Sequence, residues 1–373
     1  MSEQLREHAQ ARMQARTPRY DARATASARA GRVLRRYRIE LVIAVAVVLV
    51  ELLLSIDKPA ALSNGNLTNI AQAAAPLVIL ALGELLVMVT GGIDLSIGSI
   101  FSLTGVVTAA ALPGHGVVEA VLIGLAVGGG AGLFNGFCVA VLDLAPFIVT
   151  LITFSVAGSL AFVVANGNSK PVTSQAFAGI NDAHLGPVPI YIVYVVVLLM
   201  IIELAFLRLT FGRWLFAVGS NERAARLLGI PTRSVKLVAY MLSGFLAAFA
   251  AILSIAYLQD AEVTAGNGLE LQAIASVVIG GASLFGGVGS AFSALVGAVL
   301  VTVIQNAVDL LGINSFYNGS VTGGVILLAV LLERVTRGGG NRQQSIRRWL
   351  TSRGGAEMNA LGTPSTNGHR GSP

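Results

Sequence analysis

The sequence predicts an all-α, polytopic membrane helix bundle of about ten transmembrane helices with both termini cytoplasmic. Three observations carry this: 54% of the 373 residues are hydrophobic, only 12% are charged, and mean hydropathy is +0.76. A soluble domain carries about 25% charged residues, so this chain lacks the charge to cover a water-facing surface. The apolar content excludes disorder over most of the length. Cys138 is the sole cysteine, which excludes a disulfide-built scaffold. A β-barrel would show alternating segments of about 10 residues, and none are present.

Crossing a hydrocarbon core about 30 Å thick takes about 20 apolar residues of helix. Runs of this kind fall at 39–57, 68–90, 95–113, 117–141, 146–166, 188–207, 237–258, 270–285, 288–308 and 319–333. Glycine and alanine recur within them, and small residues let helices approach closely in lipid. The string at 128–132 is read as packing glycines. Ten Arg lie in residues 1–38, six Arg or Lys in 208–236 and seven Arg in 334–370, together 23 of the 25 basic residues. Positive charge near span ends stays in the cytoplasm. Both termini and the 208–236 loop are therefore expected inside, with six spans before that loop and four after it. Residues 1–38 then form a basic cytoplasmic tail, 39–335 the membrane domain and 336–373 a disordered cytoplasmic tail. The basic pI of about 9.8 is explained by this topology, and no nucleic-acid motif accompanies it.

Catalytic signatures are missing. None of the lysines, Lys58, Lys170 and Lys236, follows a glycine, so there is no phosphate-cradling loop. The histidines His8, His115, His184 and His369 are scattered without metal-ligand spacing. No serine nucleophile elbow occurs. The sequence therefore predicts no enzyme, no cofactor and no metal site. Acids within the apolar region are few (Glu51, Glu84, Asp94, Asp143 and Glu203), with only Glu84 expected deep. An ion-coupled carrier usually plants acids or broken helices at mid-membrane, so that alternative is weakened.

The 208–236 loop carries the most specific pattern. Ser220 or Asn221 is placed to cap a short helix, Glu222 favours its N-terminal end, and Gly229 with Pro231 stops it. Ala224, Leu227 and Leu228 share one face, and Glu222 with Arg226 forms an i,i+4 pair. About two turns are too short to be stable alone in water. The segment needs a partner surface or lies on the membrane as an interfacial connector.

This loop resembles the coupling loop of ATP-binding-cassette importer permeases, in the branch that includes ribose, xylose, arabinose and galactose systems. The residues that carry the likeness are Gly212, Arg213, Ala217, Gly219, Asn221, Ala224, Ala225, Gly229 and Ile230. Two further signatures resemble the same branch: Gly91-Gly92-Ile93-Asp94-Leu95-Ser96-Ile97-Gly98-Ser99, and Gly280-Gly281-Ala282-Ser283-Leu284-Phe285-Gly286-Gly287-Val288-Gly289-Ser290. The resemblance covers about residues 40–335. It implies a permease subunit that works as a dimer with a second permease subunit, a separate ATP-binding cassette subunit and a solute-binding protein. It also implies that Gly212, Arg213, Gly219, Asn221, Glu222, Ala224, Ala225 and Gly229 form the ATPase-coupling loop. The related branched-chain amino acid permeases are the nearest alternative.

For a sugar pathway the expected lining is neutral. Candidates are Gln72, Asn135, Asn166, Gln272, Gln305 and Asn306, each of which also suits interhelical hydrogen bonding. Asp94 reads as the N-cap of a helix starting at Leu95, or as part of a broken helix lining the path. Asp94, Asn135, Gln305 and Asn306 are taken as the pathway set. Asp260, Glu262 and Glu270 are expected in an outer loop, where they are free to pair with a docking binding protein. The two glycine breaks resemble one another, which hints at an internal repeat, although both fall on the cytoplasmic side.

Overall fold

The computed structural model describes residues 37–314 and isolated positions up to 331. The elements, in chain order, are α1 (Arg38–Asp57), a 3-10 turn (Pro59–Leu62), α2 (Asn64–Val89), α3 (Ile97–Ala111), α4 (Val117–Ala140) and α5 (Pro146–Ala165). There follow β1 (Lys170–Pro171), α6 (Gln175–Asp182), β2 (His184–Leu185), β3 (Val188–Pro189) and α7 (Ile190–Arg208). The rest is α8 (Thr210–Ser220), α9 (Glu222–Leu227), α10 (Thr232–Leu258), β4 (Asp260–Ala261), α11 (Leu269–Ile279) and α12 (Ala291–Leu310). Among the described residues seven helices, α1, α2, α4, α5, α7, α10 and α12, are long and apolar enough to cross a membrane.

The bundle is organised about α2 and α10. Both are mostly buried, whereas α1, α4, α5 and α7 turn most of their residues outward. A helix apolar on all sides is either a core helix or a lipid-facing one, and the chain contains both. The contact of α4 with α10 is built on glycine. A Cβ at Gly128 would sit 2.5 Å from both the Ala248 Cβ and the Gly244 carbonyl oxygen, and one at Gly132 would sit 3.1 Å from the Gly244 Cα. The two backbones touch at Gly128 and Gly132, the packing expected of the 128–132 string, but Gly130 takes no part in it.

Two expected spans are not full helices. The third and eighth are α3, with 15 residues, and α11, with 11. The chain after α2 turns at Gly91 (φ +85°) and runs back into the bundle over the non-helical residues 92–96. Asp94 there reaches Ser243, near the middle of the 27-residue α10, so α3 starts at mid-depth. Helix α11 starts inside as well. Gly266 donates to the Ser102 Oγ of α3 at 2.8 Å, and Glu270 is buried against Gly98. Glu270 thus sits in the bundle rather than in an outer loop. Helix α3 begins at Ile97, not Leu95, because Asp94 accepts from the Ser96 backbone and leaves residues 94–96 outside the helix.

The short strands fix which ends share a face. Strand β1 pairs antiparallel with β4, Lys170 opposite Ala261 and Pro171 opposite Asp260, so the exits of α5 and α10 meet on one face. The 208–236 loop lies on the other, together with the start of α1, whose Glu40 accepts from the Ser290 Oγ at 2.6 Å. Residues 1–36 and 336–373 lie outside the described residues, as does most of the expected span at 319–333.

Gly130 is exposed with nothing within 4 Å of a built Cβ, unlike Gly132. Gly132→Ala is expected to cost about 1–3 kcal/mol through overpacking. Gly130→Ala is expected to be neutral or stabilising by up to about 1 kcal/mol. Thermal unfolding of the two variants in one detergent checks the difference.

Candidate functional site

The 208–236 loop is two helices rather than one. The sequence reading found α9 but missed α8, a helix with one buried stripe, Gly212, Leu215 and Val218, set at helical spacing. Gly212 lets α8 fold tightly onto the end of α7: a Cβ there would lie 2.6 Å from the Phe206 Cα. Phe206 and Phe216 stack edge to face at 5.0 Å across the same corner. Arg213 is committed to this corner, donating to the Arg208 carbonyl at 3.2 Å and to the Thr210 Oγ1 at 3.0 Å.

Asn221 is the residue that caps α9, its Oδ1 accepting from the Ala224 N–H at 3.0 Å. At the other end Gly229 takes φ +80°, its N–H reaching the Arg226 carbonyl and the Ile230 N–H that of Ala225, each at 3.1 Å. These bonds satisfy the terminal carbonyls of a six-residue helix. The expected pair is present, Arg226 Nη2 to Glu222 Oε1 at 3.1 Å. Lys236 of α10, which no local pattern flagged, holds the other Glu222 oxygen at 2.5 Å. Burial pushes the Glu222 carboxyl up, but the hydrogen bond and charge of Lys236, then those of Arg226, outweigh it and hold Glu222 below the ordinary glutamate value.

The remaining residues of α9 divide by exposure. Ala225 is buried and anchors the helix to the bundle, while Ala224 is exposed. Leu227 and Leu228 are 89% and 81% exposed. Beside them a depression of about 650 Å³ is lined by Asp143, Asn221, Glu222, Arg223, Arg226 and Leu227. The outcome is an apolar knob, anchored below by Ala225, beside which Arg223 and Arg226 stand next to Glu222 and Asp143.

The three glycine signatures meet at one point behind this knob. Gly219 at the end of α8 touches the Val89 carbonyl of α2, and a Cβ on it would lie 2.7 Å from the Gly287 N. A Cβ on Gly286 would lie 2.9 Å from the Gly91 Cα and 3.1 Å from the Gly219 Cα. Gly287 donates to the Val89 carbonyl at 3.0 Å. Helices α2 and α8 and the loop between α11 and α12 are thereby joined backbone to backbone, with Gly286 and Gly287 both at positive φ. The two glycine breaks are side by side on the loop face.

Deeper in the bundle, Asp94 and Asn135 are fully buried in one network. The Asp94 Oδ1 accepts from the Ser96 N–H at 3.0 Å and the Ser96 Oγ at 2.5 Å, and its Oδ2 accepts from the Ser243 Oγ at 3.0 Å. Asn135 donates to the Ser96 Oγ at 2.8 Å and accepts from the Thr153 Oγ1 at 2.6 Å. The Asp94 N–H reaches Glu84 at 3.2 Å. This network ties α2, α4, α5 and α10 to the start of α3, and a carboxylate there favours the positive helix end. Glu203 does the same for α12, accepting from the Ala291 N–H at 2.8 Å and the Tyr37 hydroxyl at 2.7 Å. Gln305 and Asn306 lie elsewhere, in the half of α12 nearer the opposite face. Asn306 pairs reciprocally with Asn66 at 2.9 and 3.1 Å, while Gln305 is half-buried. Asn166 is exposed in the αL stop of α5.

Gly219→Ala is expected to force this junction apart at a cost of about 1–3 kcal/mol, read as a lower melting temperature and reduced monodispersity in detergent. The Glu222 contribution carries a definite pH sign. A carboxyl held below its ordinary value of 4.5 stabilises the folded loop above that pH, and the effect is lost as pH falls through the depressed native value. The protection of the residues 222–230 amides, taken relative to the intrinsic exchange rate at each pH, is therefore expected to fall on acidification in the native chain, and Glu222→Gln is expected to remove that dependence.

Comparison with known proteins fits this arrangement. The family described as branched-chain amino acid transport system, permease component, matches residues 66–330. A probable ABC transporter permease of Sinorhizobium fredii is 56% identical over 302 residues, covering 81% of this chain and 91% of that protein. The ribose import permease of Escherichia coli strain K12 is 40% identical over 276 residues, 72% of this chain and 85% of that one. An L-arabinose ABC transporter permease of Azospirillum brasilense is 30% identical over 285 residues, 76% and 84% of the two chains. No solved structure matches the chain. With a capped two-helix loop on one face, a glycine junction behind it and relatives of this kind over most of its length, the chain belongs to this family of ABC transporter permeases.

Proposed function

We propose that this chain is the membrane-spanning subunit of an importer for a pentose- or hexose-like monosaccharide, working in the inner membrane. The solute is handed over by a solute-binding protein, and the energy comes from a separate ATP-binding cassette subunit. Two copies of the permease, or this chain and a second permease subunit, enclose the path. Ten passages, with residues 319–333 as the last, put both termini and the 208–236 loop in the cytoplasm, in line with the distribution of basic residues.

The observation that carries this reading is α9. A helix of six residues is unstable alone in water, yet this one is capped at both ends, anchored by Ala225 and braced by Lys236 while presenting Ala224, Leu227 and Leu228 outward. Two exposed leucines with Arg223 and Arg226 beside them fit a partner groove with an apolar floor and an acidic rim. Force on this knob passes through Gly219 to α2 and to the α11–α12 loop. An ATPase shifts the permease only through contacts that differ between inward-open and outward-open states, and the junction gives such contacts a route to the bundle. Monosaccharides are favoured over branched-chain amino acids because two of the three relatives compared above are named for ribose and L-arabinose.

Ala224 is exposed and Ala225 is not, which separates docking from folding. Ala224→Arg is expected to insert and purify normally yet lower ATP-driven uptake by more than about tenfold, the effect of losing a central interface contact. Ala225→Arg is expected to fail at folding. Uptake into proteoliposomes with the ATPase and binding protein, alongside a stability measurement, checks both, and wild-type uptake by Ala224→Arg removes the docking role.

A further inference from the structure

Helix α2 carries Pro76 within its 26-residue length. Proline has no N–H to offer the carbonyl four residues back, so the Gln72 carbonyl loses its helical donor. A freed backbone acceptor at membrane depth is tolerated only where it is buried in protein or faces water. Residues 69, 72, 73 and 76 share one side of the helix. Asn69 and Ala73 are exposed there, Gln72 and Pro76 are half-buried, and no large apolar side chain interrupts them. Helix α7 turns a comparable face outward made of Val196, Val197, Met200, Ile201 and Leu204. That face suits lipid, and the α2 face does not.

Two further amides converge on the same half of the bundle. Helix α11 packs against both α2 and α12. Its register on α12 is antiparallel, Gly280 against Ser293 and Ser276 against Gly297. Continued along both helices, this register brings Gln272 and Gln305 within about one turn of each other. The reciprocal Asn66–Asn306 pair clamps α12 to the start of α2, in the half nearer the β1–β4 face. Gln72, Gln272 and Gln305 are all half-buried, and none of their side-chain amides has a hydrogen-bond partner among the described residues. Unpaired amides are costly against hydrocarbon. Exposed Asp309 lies one turn beyond Gln305, where water reaches the helix end.

We propose that Asn69, Gln72, Gln272 and Gln305, with the freed Gln72 carbonyl, form a solute-contact site that runs from mid-depth toward the outer face of the path, taking an uncharged polyhydroxylated molecule. An amide both donates and accepts, which matches a hydroxyl of either polarity without attracting ions. The site rests on the sugar-import reading above. It differs from Asp94 and Asn135, whose polar atoms are already bonded to protein.

The test uses the permease with its ATPase and binding protein in proteoliposomes. On a Cys138→Ser background, Gln72→Cys, Gln272→Cys and Gln305→Cys are expected to react with a charged, membrane-impermeant methanethiosulfonate. Val197→Cys on α7 is expected not to react. Gln272→Leu and Gln305→Leu are expected to lower ribose uptake about fivefold each, the loss of one hydrogen bond, at unchanged complex mass, with Gln→Asn recovering part of the rate. Unreactive cysteines, or leucine variants with normal uptake, overturn the site. Leucine variants that lose the assembled complex also overturn it, because the amides then join two copies of the chain. A wild-type complex that moves no monosaccharide instead sinks the sugar reading, whatever the labelling pattern.

Discussion

The structure depends on backbones touching where no side chain fits. At the loop face Gly219, Gly91, Gly286 and Gly287 bring α8, the end of α2 and the α11–α12 loop into direct contact. Three segments far apart in sequence become one rigid block there. A single Cβ at Gly219 would displace the Val89 carbonyl or the Gly287 amide, and neither is the flexible end of a side chain. In lipid, where helix association gains little from the hydrophobic effect, such close approach is the main source of attraction. The same block links the exposed knob of α9, through α8, directly to the buried helix α2 without passing through α10.

A second constraint follows from breaking helices inside a membrane. Both α3 and α11 begin at mid-depth, so their first amides have no intrahelical partner and no bulk water within reach. The chain supplies acids instead. Asp94 serves the start of α3, bonded in turn to Ser96 and Ser243, and Glu270 lies buried in the first turn of α11. Glu203 serves α12 in the same way from a neighbouring helix. Acids that look like transport residues in an apolar sequence are here used to hold the ends of half-helices. The side-chain amides of Gln72, Gln272 and Gln305 on α2, α11 and α12 take no part in holding these helix ends.

Most of the helical scaffold was legible in the sequence because its signals are local. Apolar runs gave the full spans, the basic clusters placed the start of α1 and the 208–236 loop together, and Asn221, Glu222, Arg226 and Gly229 marked both ends of α9 within ten residues of one another. Gly128 and Gly132 read correctly as packing residues, since small residues in an apolar helix have few other uses, whereas the same local signal at Gly130 falls on an exposed position.

What only the tertiary structure decided are the pairings that cross the chain. Hydropathy counts apolar residues without regard to depth, so α3 and α11 read as full spans, whereas the contacts of Asp94 with Ser243 and of Gly266 with Ser102 start both helices inside the bundle. Lys236 on Glu222, Glu203 on Ala291 and Asn66 on Asn306 join residues 14, 88 and 240 positions apart, beyond the reach of any helical period. The sequence determined which segments are helices and how the short one is capped, because those outcomes follow from neighbours within a turn or two. Which polar groups are spent on holding the bundle and which keep no protein partner among the described residues was fixed only when the helices packed.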